Sequence, residues 1–172
     1  MTQTNTLILD AEALYVALRD GVRRLVAERP DALLVGIWSG GAWLAARLQA
    51  DLKRAGEAGV ISSALHRDDF GERGLAAGAG ATRLPGSIDG RHIVLIDDVL
   101  YTGRTIRAVL NELFDFGRPA SVALAVLVDR GGRELPVQPS FAAARVTLGH
   151  EQRLSLVKSD DGQLAFAVKG AK

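Results

Sequence analysis

The chain has 172 residues, of which 48% are hydrophobic and 24% are charged, values typical of one soluble globular domain with a substantial core. Its 21 basic and 20 acidic residues nearly cancel, so a net charge of +1 gives no bulk attraction to nucleic acid or a membrane surface. The absence of cysteine excludes disulfides, thiolate metal sites and a thiol nucleophile.

The N-terminal sequence, MTQTNTLILD, lacks the basic region and the apolar run of a signal peptide. No apolar stretch approaches the roughly 20 residues that are needed to span a bilayer. We therefore expect a cytoplasmic protein that makes no membrane contact.

The N-terminal part of the chain alternates between helix and strand patterns. Asp10 is a candidate N-cap for the first helix, in which leucine and valine recur at helical spacing, and Pro30 ends the run. The turn SGG, residues 39–41, separates the first strand from the second helix. The predicted elements are a helix at 11–28, a strand at 32–37, a helix at 42–54 and a weaker strand at 59–65.

Residues 70–90 differ in character, because they are rich in glycine and poor in periodic apolar positions. This composition is typical of a mobile functional loop or of a disordered connection, and both interpretations stay open.

The C-terminal part continues the alternation, which implies right-handed crossovers and a mostly parallel sheet covered on both faces. We therefore predict an α/β fold in one domain, residues 1–172. The predicted elements are a strand at 92–96, a helix at 103–116 that Gly117 ends, a strand at 121–128 and later strand candidates at 141–148 and 164–168.

Unusual residues follow three of these predicted strands. SGG follows residue 37, DDVLYTGRT follows residue 96, and DRGGRELP follows residue 128. Ligands of parallel α/β sheets bind beyond the carboxyl ends of the strands. The three segments are therefore expected to lie along one edge and to form a binding site.

The segment YTGRT, residues 101–105, has the composition of a phosphate cradle at a helix N-terminus. Asp97 and Asp98 directly precede it, and ionised carboxylates suit the vicinal hydroxyls of a sugar. Together they predict a site for ribose 5-phosphate. The alternative is that Thr102 and Thr105 only cap the helix and that each acid pairs with an arginine.

The sequence IVLIDDVLYTGRT, residues 93–105, resembles the phosphoribosyl diphosphate (PRPP) motif of type I phosphoribosyltransferases. With DDVLYTGRTIRA and FGRPASVALAVLVDRGGRELP, the chain is similar to the PyrR family of pyrimidine-operon regulators with uracil phosphoribosyltransferase activity. The likeness runs from about Leu9 to Pro136. It implies the type I phosphoribosyltransferase fold, with a mostly parallel sheet flanked by helices, a flexible lid loop at about 70–90 and a small hood.

The resemblance implies that uracil and PRPP give UMP and diphosphate, with Mg²⁺ carried by PRPP and no metal-binding side chain. Arg67, Asp97 and Asp98 are the implied catalytic residues. The implied PRPP-binding residues are Asp97, Asp98, Val99, Leu100, Tyr101, Thr102, Gly103, Arg104 and Thr105, the diphosphate loop is Ser39, Gly40 and Gly41, and the uracil-binding residues are Val128, Asp129 and Arg130.

The chain departs from its better-known relatives in the diphosphate loop, where they carry arginine and this chain has Gly40. Diphosphate charge would then be met by amides, Mg²⁺ and Arg67. Alternatively, SGG is a plain turn before a helix, and Arg67 belongs to a solvated turn.

The main alternative function is that of an RNA-binding transcription attenuator that uses the PRPP site to sense nucleotides. Its candidate basic surface is Arg19, Arg23 and Arg24, which equally suit a solvated helix face. RNA-active relatives carry histidine where this chain has Gly132, so only weak RNA binding is expected. A purine-specific phosphoribosyltransferase is a further alternative, and the resemblance also suggests a homo-oligomer.

Overall fold

The protein's structure, a computed structural model, describes residues 9–63 and 81–170. Arg67 and the first half of the predicted loop therefore lie outside the described residues. The described elements are α1 (Ala11–Glu28), β1 (Leu33–Ile37), α2 (Gly40–Asp51), β2 (Gly59–Ile61), β3 (His92–Leu100), α3 (Arg104–Phe116), β4 (Ser121–Asp129), β5 (Phe141–Arg145), β6 (Arg153–Lys158) and β7 (Leu164–Lys169).

The central sheet has five strands in the order β2-β1-β3-β4-β5, and every neighbouring pair is parallel. This confirms the predicted α/β architecture with a parallel sheet flanked by helices. The carboxyl ends of β1, β3 and β4 consequently meet at one edge, as the pattern of strand and turn predicted. None of the described helices is long and apolar enough to cross a membrane.

The core consists of two apolar clusters, one on each face of the sheet. Along β3, Val94 and Ile96 face the helices α1 and α2, whereas Ile93 and Leu95 face α3. Strands buried on both faces read as continuous apolar runs, which explains the sequence HIVLI. Each fully buried aliphatic side chain contributes about 1.5–3 kcal/mol of transfer free energy, so this layering dominates the stability of the fold.

The helix boundaries follow local chemistry closely. Asp10 caps α1 as predicted, because its Oδ1 accepts a hydrogen bond of 3.0 Å from the amide of Ala13. Gly117 ends α3, also as predicted. Strand β3 is longer than expected, since it continues to Leu100 and includes the acidic pair.

The C-terminal residues form the antiparallel hairpin β6–β7, of which only the second strand was predicted from the sequence. Leu156 and Leu164 on the hairpin belong to the buried cluster that α1 and α2 also form, and Leu154 is buried as well. Leu164 donates its amide to Glu12 Oε1 at 2.9 Å, and Arg47 lies 2.8 Å from the other oxygen of Glu12. The hairpin is thus attached to α1 directly and to α2 through Glu12.

The second half of the predicted loop, residues 81–90, packs against the body of the domain. Ile88 is fully buried, and Arg83 pairs with Val60 in an isolated β-bridge. Thr82 accepts a hydrogen bond from the amide of Ser62 and donates one to Glu112. The loop prediction is therefore wrong for residues 81–90, and its remaining part, residues 70–80, lies outside the described residues.

Candidate active site

Asp97 and Asp98 can stand side by side because successive side chains of a strand point to opposite faces of the sheet. Asp97 is buried, and its Oδ1 accepts a hydrogen bond of 2.9 Å from the amide of Asp98. Asp98 in turn accepts one of 2.9 Å from the amide of Val99. Its other oxygen, Oδ2, lies 3.4 Å from the amide of Leu156 in the hairpin. Both carboxylates are thus oriented by backbone donors.

The predicted diphosphate loop lies directly against Asp98. A Cβ atom added at Gly40 would lie 2.6 Å from Asp98 Oδ2, and one added at Gly41 would lie 2.2 Å from the carbonyl oxygen of Ile96. Only glycine allows this approach, because the clash at Gly41 is with backbone. The peptide bond between Trp38 and Ser39 is cis. The N-terminus of α2 therefore adjoins the acidic pair, as expected of a site at this edge.

The predicted phosphate cradle forms the turn between β3 and α3. Gly103 is the N-cap of α3 and has a φ of 93°, a left-handed conformation that favours glycine. Thr102 Oγ1 accepts a hydrogen bond of 3.2 Å from the amide of Arg104, so this hydroxyl is held by the turn itself, although Thr102 precedes the N-cap. The N-terminus of α3 is an electropositive end that suits an anion.

The candidate uracil residues follow β4, and their side chains are held by the protein itself. Asp129 accepts hydrogen bonds from the amide of Gly131 at 3.0 Å and from Arg133 at 2.8 Å. Burial raises the pKa of the Asp129 carboxyl, but the Arg133 guanidinium and the Gly131 amide outweigh it, so this pKa lies below its ordinary value. Asp129 is therefore an ionised anchor of this segment.

Arg130 is buried, with 5% of its surface exposed, and its guanidinium lies 3.8 Å from the centre of the Tyr101 ring. It donates to the carbonyl oxygens of Gln152 at 2.7 Å and Gly149 at 3.2 Å. These contacts fasten the segment before β6 to the cradle. The structure thus brings Asp129 and Arg130 to the predicted edge, where their side chains bind protein groups.

Arg133 was not identified as a site residue from the sequence. Its guanidinium binds Asp129 Oδ2, and it also donates to the carbonyl oxygens of Tyr101 at 2.8 Å and Val137 at 2.7 Å. The repeated glycines and arginines of DRGGRELP were the available signal, but the pattern does not reveal that both arginines turn inward.

Several residues outside the cradle have clear local partners. Trp43 packs on the core, whereas Trp38, directly after β1, is 39% exposed. His92 Nδ1 lies 2.6 Å from Ser121 Oγ, and His150 Nδ1 lies 3.4 Å from the Tyr101 hydroxyl. Among the described residues no group of His, Asp and Glu is arranged to hold a metal ion alone.

The candidate RNA surface on α1 is partly neutralised. Asp20 lies 3.4 Å from Arg19 Nε and 2.8 Å from Arg23 Nη1. The Arg24 guanidinium lies 5.7 Å from the centre of the Phe141 ring. These three arginines form a mixed-charge face rather than a concentrated basic patch.

Two cavities, of about 360 and 540 Å³, lie beside α2 and the segment that follows it. Both are lined by Gln49, Arg54, Gly56 and Glu57, and the larger one also touches Leu33 at the start of β1. Ligand binding in parallel sheets favours the carboxyl edge, where the acidic pair and both helix N-termini converge. The chemistry therefore points to that edge and not to these cavities.

Comparison with known proteins places these features in context. The family model described as phosphoribosyl transferase domain matches residues 7–145. The chain is 51% identical to the bifunctional protein PyrR of Ralstonia nicotianae over 159 residues, covering 91% of each chain. It is 44% identical to the bifunctional protein PyrR of Nitrosococcus oceani over 162 residues, covering 92% of each chain.

Solved structures show the same fold at low sequence identity. The hypoxanthine phosphoribosyltransferase of Trypanosoma cruzi superimposes with a TM-score of 0.64 at 18% identity, covering 97% of this chain and 98% of that one. The HGPRT-ase of Leishmania tarentolae in complex with GMP gives a TM-score of 0.60 at 19% identity, covering 85% and 83%.

Proposed function

Because this chain belongs to the phosphoribosyl transferase domain family and, within it, to the PyrR proteins, we propose that it is a uracil phosphoribosyltransferase. The proposed reaction joins uracil to C1 of the ribose of PRPP and releases diphosphate, so that UMP is formed. Phosphoribosyl transfer follows from the family, whereas the choice of uracil rests on the resemblance of DDVLYTGRTIRA and DRGGRELP to the PyrR sequences.

The observation that carries the proposal is the contact between the diphosphate loop and the acidic pair. Gly40 approaches Asp98 so closely that a Cβ atom would lie 2.6 Å from its carboxylate oxygen. A group bound at the α2 N-terminus would therefore lie beside a group bound by Asp98. PRPP has this arrangement, since its diphosphate is attached to the ribose carbon next to the diol.

The two helix N-termini and the acidic pair would each interact with a different part of PRPP. The amides that open α3 suit the 5-phosphate, and those that open α2 suit the departing diphosphate. Positive charge develops at the ribose carbon as diphosphate leaves, and the carboxylates of Asp97 and Asp98 are fixed by backbone amides beside that position. Positioning and electrostatics do the work, so no side-chain nucleophile is required.

Mg²⁺ fits this site as a companion of PRPP. The two carboxylates offer the hard oxygen atoms that Mg²⁺ prefers, and Mg²⁺ usually completes its shell with substrate oxygens and water. Asp97 and Asp98 would therefore help to hold it, a proposal that departs from the sequence-based expectation that no side chain binds the metal. When bound, it would stabilise negative charge on the leaving diphosphate. Arg67, outside the described residues, remains a proposed further partner of the diphosphate.

Regulation of pyrimidine genes through RNA is the second candidate function, and the name of the bifunctional PyrR relatives favours retaining it. The ion pairs of Asp20 and the presence of Gly132 argue for weak RNA binding. We therefore favour the enzyme over a nucleotide-sensing attenuator. A cytoplasmic location and a homo-oligomeric state are further proposals, and light scattering after gel filtration would test the second.

One assay tests the proposed function directly. The protein is mixed with PRPP, Mg²⁺ and uracil, hypoxanthine or guanine in separate reactions, and nucleotides are separated by chromatography. UMP formation from uracil alone is the expected result. Formation of a purine nucleotide would redirect the assignment to a purine enzyme, and no nucleotide with any base would refute it.

A further inference from the structure

The segment after β4 is attached to the phosphate cradle through three successive carbonyl groups. The carbonyl oxygen of Leu100 accepts from the amide of Arg130 at 3.0 Å. That of Tyr101 accepts from the Arg133 side chain at 2.8 Å. That of Thr102 accepts from the amides of Glu134 at 2.9 Å and Leu135 at 3.1 Å. We call residues 129–137 the buttress.

These contacts determine which way the cradle amides point. In a planar trans peptide, the carbonyl of one residue and the N–H of the next point in opposite directions. Because the carbonyls of Tyr101 and Thr102 are directed at the buttress, the N–H groups of Thr102 and Gly103 are directed away from it. They point toward the side on which a phosphate would approach the N-terminus of α3.

Arg133 links the parts of this arrangement. Its three hydrogen bonds reach the end of β4 at Asp129, the cradle at Tyr101 and the far end of the buttress at Val137. The fork geometry of guanidinium allows these contacts at once, and a lysine ammonium on a flexible stem cannot reproduce them. The side chain of Arg133 is 23% exposed, so most of it lies within the protein.

The side chain of Tyr101 provides a second, independent clamp. Its ring lies against the Arg130 guanidinium at 3.8 Å on one side. A Cβ atom added at Gly132 would lie 2.5 Å from Tyr101 Cε2, and Gly132 has a φ of 72°. Glycine at this position thus allows the ring to stay in its place, and a side chain would displace it.

We propose that Arg133 is a positioning residue for the 5-phosphate of the substrate, acting through the carbonyl of Tyr101, and that Gly132 is required for the same cradle conformation. The proposal rests on the proposed function for its substrate, but it concerns only the phosphate half of the site. In this proposal DRGGRELP contributes to phosphate binding indirectly, because it holds the backbone of the cradle at the end of β3.

The test compares Arg133→Lys and Gly132→Ala with wild type in uracil and PRPP kinetics. We expect each variant to raise KM for PRPP about tenfold, while kcat and KM for uracil change by less than about threefold. Arg29→Lys, at the exposed end of α1, and Gly170→Ala, where added Cβ meets nothing within 4 Å, are the matched controls and should leave all constants unchanged. Circular dichroism and thermal unfolding check that each variant is folded.

Calorimetric titration with ribose 5-phosphate separates this inference from the proposed function. Both variants should lose about tenfold in affinity for ribose 5-phosphate whether or not the protein makes UMP. A wild type that binds ribose 5-phosphate but forms no UMP would reject only the uracil assignment. The inference is overturned if either folded variant keeps wild-type affinity for ribose 5-phosphate, or if KM for uracil rises as much as KM for PRPP.

Discussion

Replacing Gly40 by alanine places a methyl group against the carboxylate of Asp98. The added Cβ would lie 2.6 Å from Oδ2, 2.8 Å from Cγ and 3.1 Å from Cβ of Asp98. An ordinary van der Waals contact requires 3.4 Å or more, so the carboxylate or the loop must move by several tenths of an ångström. Asp98 has little freedom to move, because Val99 and Leu156 hold its two oxygens.

Two consequences follow from this displacement. Overpacking of this size costs about 1–3 kcal/mol of folding free energy. Misplacement of a group that binds the reacting substrate by about 1 Å costs up to roughly 100-fold in rate, so we expect kcat/KM for PRPP to fall between about 10-fold and 100-fold. The fall in kcat/KM should not result from unfolding, because most of the protein would still be folded at assay temperature.

Steady-state kinetics with varied PRPP, together with urea unfolding, measure both consequences. Gly170→Ala is the matched control, since its added Cβ meets nothing within 4 Å and its backbone is not left-handed. A Gly40→Ala protein with wild-type kcat/KM would show that Asp98 does not need its observed position, and the assignment of this edge as the active site would fail.

Asp97→Asn and Asp98→Asn should each lower activity at least about tenfold with the fold intact, because a lost charged hydrogen bond costs about 1.5–3 kcal/mol; near-normal turnover in both variants, measured beside circular dichroism, would contradict this. Asp129→Asn should lower the free energy of unfolding at neutral pH. The difference in this free energy from wild type should shrink as the pH falls below the ordinary pKa of about 3.9, because the lowered folded-state pKa of Asp129 contributes stability only while the group is ionised. Urea unfolding across this pH range would refute that account if the difference in unfolding free energy between variant and wild type stayed constant. Binding to a pyrimidine leader transcript should be weak and salt-sensitive, with little preference over a scrambled RNA in filter binding; a preference of about 100-fold at physiological salt would restore regulation as the main function.

Local pattern was sufficient to predict the architecture of this protein. Short continuous apolar runs such as HIVLI and VALAVLV are typical of strands that are buried on both faces. The segments between them have helical periodicity, and a parallel sheet is the arrangement in which such helices cover both faces. The acidic pair and the cradle YTGRT were also found from the sequence, because the end of the strand, the turn and the start of the helix are contiguous in the chain.

The sequence was less informative where a residue's partner is distant in the chain. Strand β6, RLSLVK, is short and polar at its ends. It becomes a strand because β7 pairs with it and because Leu156 packs on a core built mainly by α1 and α2. Residues 81–90 looked like part of a loop, yet Ile88 is buried in the cluster on the α3 face. Composition does not reveal such a packing site.

The sequence by itself determined which chemical groups gather at the edge of the sheet, since they follow the strands in order. Tertiary structure decided how those groups are used. Gly40 reads as an ordinary turn glycine until Asp98 is found against it, and Arg133 reads as a solvated charge until its guanidinium is found between β4 and the cradle. Both relations join segments more than 30 residues apart in the printed sequence, and hydrogen-bond direction and steric contact exist only once those segments are packed together.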